Sequence, residues 1–134
     1  MTLALKDIHP AVERTVNDGD VEGFVALYTP NACLVGPDGE TVTGHEAIRE
    51  QMTPLFALRG RMTVTTRNVV EVGDLALLSS EWSYTAGDVQ LSGVAAEVAQ
   101  RQSDGGWLYV IDHPYAGPAG AEATTDQAPA TATA

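Results

Sequence analysis

The chain has 134 residues and a formal net charge of −11, with only 7 Lys and Arg, so it suits one domain with one core. So acidic a chain has no basic face for nucleic-acid phosphates or for an anionic membrane surface. No apolar run approaches the roughly 18 residues of a membrane span, MTLALKDIHP lacks the marks of a signal peptide, and a single cysteine, Cys33, precludes an internal disulfide; a cytoplasmic location is the expectation.

In chain order, the first third reads as helical. Pro10 suits a first helical turn, and Ile8, Val12 and Val16 form an apolar stripe. NDGD breaks this helix, with Gly19 as its stop and Asp20 as the cap of the next. Val21, Phe24, Val25 and Tyr28 give a second stripe, which Pro30-Asn31 ends. ACLVGPDGETVTG reads as strand, turn and strand. Thr43 and Glu46 have the spacing of a capping box for a third helix, with Ile48, Met52, Leu55 and Phe56 on its buried face.

After Gly60 the period changes. Residues 62–72, 75–85, 91–101 and 107–113 predict strands, joined by short turns into an antiparallel sheet. Helices early and a sheet late make the fold class α+β. The Ala/Thr/Pro-rich segment 118–134 has almost no large apolar side chain to bury and is expected to be a disordered tail on a domain of residues 1–117. The last strand, in DGGWLYVIDHPYAG, carries Asp112 and His113 side by side before Pro114, which should stop it.

NDGDVEGFVALYTPNACLVGPDGETVTGHEAIREQM (17–52) and AEVAQRQSDGGWLYVIDHPYAG (96–117) resemble the NTF2-like superfamily, in its SnoaL-like or DUF4440 branch, which includes the ketosteroid isomerases. The resemblance implies a cone: a curved antiparallel sheet wrapped around N-terminal helices, the NTF2-like or cystatin-like α+β barrel, enclosing an apolar cavity. It also implies a homodimer formed through the outer sheet face, where Leu108 and Val110 would lie. Strand side chains alternate between faces. The family pattern puts Trp107, Tyr109, Ile111 and His113 inward and Asp112 outward. The cost of a charge in an apolar cavity puts Trp82 and Tyr84 inward opposite Glu81. The same cost places Glu97 and Arg101 outside, with Ala96, Val98 and Gln100 inside. Ala32, Leu34 and Gly36 should face in from the first strand.

The isomerases' base and oxyanion-hole positions are occupied here by Gly36, Val12 and Val98, so their mechanism does not carry over. The Asp/Arg/Asp set of the epoxide hydrolases is also missing. His113 is therefore the expected acid–base residue, since imidazole exchanges protons near neutrality. Asp112 is the second catalytic candidate, because the SnoaL-like cyclases use a late-strand acid in proton transfer. Trp82, Tyr84, Trp107, Tyr109, Tyr28, Leu34 and Ile111 are the candidate ligand-binding residues. His9 and His45, at helix starts, are expected on the surface. No metal or cofactor is expected. The ligand would be a small hydrophobic molecule, carbonyl- or polyketide-like if the protein is an enzyme. Ligand binding without catalysis, and association through the sheet, are the alternatives; a deep cavity would favour the first two readings and a filled cone the third.

Overall fold

A computed structural model describes residues 2–118; the expected tail, from residue 119 onward, lies outside the described residues. A 3-10 turn (Leu5–Asp7) leads into α1 (Ile8–Asn17), followed by α2 (Val21–Val25), β1 (Tyr28–Val35), β2 (Thr41–Thr43) and α3 (His45–Ala57). Four long strands complete the domain: β3 (Arg61–Val72), β4 (Leu75–Ala86), β5 (Val89–Arg101) and β6 (Trp107–Gly117). The fold is α+β, one curved six-stranded sheet in the order β2-β1-β6-β5-β4-β3 with the helices over its concave face. Neighbouring strands are antiparallel except β1 and β6, which run parallel.

The apolar stripe of α1 seats as the sequence predicts, with Ile8 fully buried and Val16 nearly so. Beside it runs a polar stripe at four-residue spacing. His9 Nδ1 lies 2.7 Å from Thr66 Oγ1, Glu13 Oε1 accepts from Val64 N at 3.0 Å, and the Asn17 amide brackets the backbone of Met62. Four helical residues rise about 6 Å and two strand residues about 6.6 Å, so the helix stays in step with β3. The side chains of α1 thereby occupy backbone groups that the edge strand would otherwise leave unpaired.

Three local expectations change. The second helix is only Val21–Val25, capped as expected by Asp20, whose carboxylate accepts from Gly23 N at 2.9 Å. Tyr28 is therefore the first residue of β1, because Leu27 O accepts the Tyr109 amide at 2.8 Å and draws the chain into the sheet. Pro30 is tolerated in β1 because the β2 pairing covers only Cys33–Val35. The capping box does not form; Gly44, at φ 94°, is the N-cap of α3 and no side chain caps it. Pro114 does not end β6, which continues to Gly117 through a register shift against β5.

Gly60, between α3 and β3, is a close-approach position. A Cβ there would overlap the Thr85 carbonyl oxygen and lie 2.6 Å from Tyr84 Cζ. The Gly60 amide donates to Tyr84 Oη at 2.8 Å, and that hydroxyl donates to Leu55 O at 2.8 Å. Gly60→Ala should cost about 2–3 kcal/mol through overpacking, read as a lower urea midpoint at unchanged m-value. A loss under about 0.5 kcal/mol, the range of neutral surface changes, would show that the contact yields easily.

Candidate functional site

The concave face of the sheet and the helices enclose a cavity of about 470 Å³. Its walls are mostly apolar, among them Val12, Phe24, Leu34, Met52, Leu55 and Trp82. Five of its polar groups cluster through mutual contacts, Tyr28 from β1, Ser80 from β4, Glu97 from β5, and Tyr109 and Asp112 from β6, while Gln51 of α3 lies beside Gly36 and Tyr115 follows on β6. A cavity of this size, apolar with a few convergent polar groups, is the usual form of a small-molecule site.

Asp112 enters the cavity because β6 changes phase. Ala99 pairs with Tyr109 and Val98 with Ile111, so Val110 is an extra residue in β6, a β-bulge. Before it, Trp107 and Tyr109 are buried as expected; after it, the alternation inverts. Asp112 is buried and lines the cavity, whereas Ile111 is exposed. The expected inward placement of Ile111 and His113 is therefore corrected. His113 is half-buried, lies outside the cavity lining, and leaves Nδ1 enclosed without a hydrogen-bond partner.

β5 corrects a second expectation. Its inward residues are Gly93, Ala95, Glu97 and Ala99, not Ala96, Val98 and Gln100. The objection to burying Glu97 was an unpaired charge, and its charge is not unpaired. His9 Nε2 lies 2.9 Å from Oε1, and Ser80 Oγ donates to Oε2 at 3.2 Å. His9, expected at the surface, is 2% exposed. With Nε2 donating to Glu97, Nδ1 accepts from Thr66, whose residue is exposed on the far side. His45 is half-buried, with Nε2 2.7 Å from Tyr28 O.

Tyr28 Oη donates to Asp112 Oδ2 at 2.5 Å. The Tyr28 and Tyr109 rings lie 5.4 Å apart, tilted. The Tyr109 hydroxyl is buried beside Glu97 without a hydrogen bond of good geometry. Burial, and next the charge of Glu97, raise the Asp112 carboxyl to about 7, while the Tyr28 hydrogen bond pulls it down. Burial first, and then the neighbouring carboxylates, push both tyrosine hydroxyls well above their usual value. Asp112 thus changes charge near neutrality, and both phenols stay protonated as donors.

Of the expected ligand-binding residues, Tyr28, Leu34, Trp82 and Tyr109 line the cavity. Tyr84 and Trp107 are buried but stand outside it: Tyr84 ties α3 to Gly60, and Trp107 stacks under the Arg101 guanidinium at 5.2 Å. Glu97 was missed as a site residue. The one sequence signal for it is an acid isolated among small apolar residues in VAAEVA. Among the described residues, no cluster of three or more His, Cys, Asp or Glu side chains is placed to hold a metal ion. Among the same residues, no helix is long and apolar enough to cross a membrane.

A curved sheet closed by helices around a polar-ended apolar cavity is the fold of solved NTF2-like and ketosteroid isomerase-like proteins. The SnoaL-like domain family matches residues 11–126, and the chain belongs to that family. Similar solved structures include a proposed calcium/calmodulin-dependent protein kinase II association domain from Xanthomonas campestris, at 18% identity and TM-score 0.74, covering 85% of this chain and 86% of that one. A proposed dehydratase of the NTF2-like family from Streptomyces avermitilis has 21% identity and TM-score 0.69, covering 81% and 90%. A ketosteroid isomerase-like protein from Erwinia carotovora atroseptica has 19% identity and TM-score 0.64, covering 82% and 91%. At these identities the likeness shows a shared fold. A search of curated proteins found no match.

The raised carboxyl makes a stability prediction. A folded-state value above the unfolded one means that the native protein binds this proton more tightly, so the group's contribution to stability falls as pH rises from about 4 through about 7. Asp112→Asn removes the buried charge and keeps an oxygen for Tyr28 to donate to. The variant should be more stable than wild type at pH 8 by about 1–2 kcal/mol, with the gain vanishing near pH 5, as followed by thermal melts across that range. Equal melting temperatures at pH 8 would mean that the carboxylate is solvated.

Proposed function

We propose that the protein binds a small hydrophobic molecule in this cavity and transfers protons on it through Asp112. The observation that supports this reading is the buried Asp112 carboxyl, held by Tyr28 at the polar end of the cavity and poised near neutrality. His113, the residue that the sequence suggests for this work, stands outside the lining. Asp112 as carboxylate would take a proton from carbon or oxygen, and the Tyr109 hydroxyl would donate to the oxygen on which charge develops. No cofactor enters this scheme. The open volume favours a ligand site over a module used for association alone.

β-Tetralone, a bicyclic ketone with acidic α-protons, tests the chemistry. In deuterated water the wild type should speed exchange of those protons, as followed by NMR. Asp112→Asn should lose about 10²-fold or more of the acceleration, and His113→Ala should keep it. Because the base is the ionised form, the rate should rise with pH and level off above about 7. Tetralone that binds without any faster exchange would leave the non-catalytic binding reading in its place.

We also propose that the protein is a homodimer through the convex sheet face. Val70, Leu77, Val98 and Ile111 form one cross-strand row there, and Val70, Val72, Leu75 and Leu77 are half or more exposed. Light scattering should give about 28 kDa, twice the chain mass of 14.1 kDa, and Leu77→Glu should give the monomer. A monomeric wild type at micromolar concentration would reject this assembly.

A further inference from the structure

The polar end of the cavity offers many hydrogen-bond acceptors and few donors. The charged lining residues among those described are Asp112 and Glu97; no Lys, Arg or His lines the space. The Trp82 indole N–H is committed to Pro114 O at 2.8 Å, the Ser80 proton to Glu97, and the Tyr28 proton to Asp112. Among the described lining residues, the buried hydroxyl without a hydrogen bond of good geometry is that of Tyr109, whose oxygen also accepts, and the Gln51 amide of α3, beside Gly36, is the other uncommitted donor. Against them stand the free lone pairs of Asp112 and of the Tyr28 and Ser80 oxygens. Phe24, Tyr28, Trp82 and Tyr109 add aromatic rings to the lining. A carboxylate ligand would meet two acids, and a carbonyl at this end would use the Tyr109 hydroxyl alone and leave Asp112 without a donor. A protonated amine brings up to three donors and a positive charge, which suits a carboxylate and aromatic rings. The formal net charge of −11 also favours approach of a cation.

We propose that the molecule this cavity is built for carries a basic nitrogen, an aliphatic amine on a compact hydrophobic body, seated with its ammonium against Asp112 and the Tyr109 oxygen. This rests on the reading of the cavity as a small-molecule site with Asp112 at its polar end, and it names the ligand's chemical class. The groups that face Asp112 are Tyr28 of β1, Glu97 of β5 with His9 of α1 behind it, and Tyr109 and Tyr115 of its own strand. α3 contributes Gln51, Met52, Pro54 and Leu55 to the lining and no ionisable group. Asp112 must therefore be ionised to receive the ammonium, and at lower pH the ligand must displace its proton.

Calorimetry with naphthylmethylamine, naphthylmethanol, naphthoate and β-tetralone separates the possibilities. At pH 8 the amine should bind at least tenfold tighter than the alcohol, and naphthoate should not bind. Between pH 8 and pH 6 the amine's affinity should fall about tenfold, as expected for a carboxyl near 7, while the alcohol's stays level. In Asp112→Asn, shown folded by its melting curve, the amine should bind no tighter than the alcohol. An amine affinity that does not change with pH in the wild type, or alcohol or tetralone binding as tightly as the amine, would overturn the basic-nitrogen assignment and leave the proton-transfer reading standing. If none of the four binds, both readings fall.

Discussion

One extra residue in the last strand decides the chemistry of this domain. Val110 has no partner of its own on β5, so the alternation of β6 shifts by one at that point. Without it, Ile111 and His113 would follow Trp107 and Tyr109 onto the concave face, and the polar end would hold an imidazole. With it, Asp112 turns inward, directly across from Glu97 and level with Leu34 of β1. The Tyr28 hydrogen bond, the proximity of two carboxyls and the raised proton affinity of Asp112 all follow from that shift.

The same cavity needs a frame that tolerates buried acids. The polar stripe of α1 supplies part of it. His9, Glu13 and Asn17 fasten the helix to alternate residues of β3, and His9 reaches past the strand to hold Glu97. A single buried pair thus joins a helix, an edge strand and the middle of the sheet. Asp112 has no such histidine partner among the described residues. Its carboxylate is a cost in stability near and above neutrality, carried by an otherwise well-buried core. Destabilised charge of this kind is characteristic of places where proteins bind or react.

The solved structures that share this fold are described variously as association, dehydratase and isomerase-like proteins. One cone accepts all of these because the sheet and helices specify a container, and a few side chains at its polar end specify the contents. In this chain those side chains are two acids and two phenols.

Much of the container was legible from the sequence. The stripe of Ile8, Val12 and Val16, the cap at Asp20 and the turn at Pro37-Asp38-Gly39 are local patterns, and local patterns set helices, turns and strands. The alternation of Ala76, Leu78, Ser80, Trp82 and Tyr84 likewise set the inward face of β4, since no register shift interrupts that strand's pairing with β5. What the tertiary structure alone decided lies beyond local pattern. Tyr28 continued an apolar helical stripe and became a strand residue because Tyr109 bonds the preceding carbonyl. Glu97 was excluded from the interior by a desolvation argument that is sound for a lone charge. It failed because His9, 88 positions away in sequence, waits inside to pair with it. The phase of β6 depends on a bulge, and a bulge is a property of two strands in register, which no single strand's sequence contains.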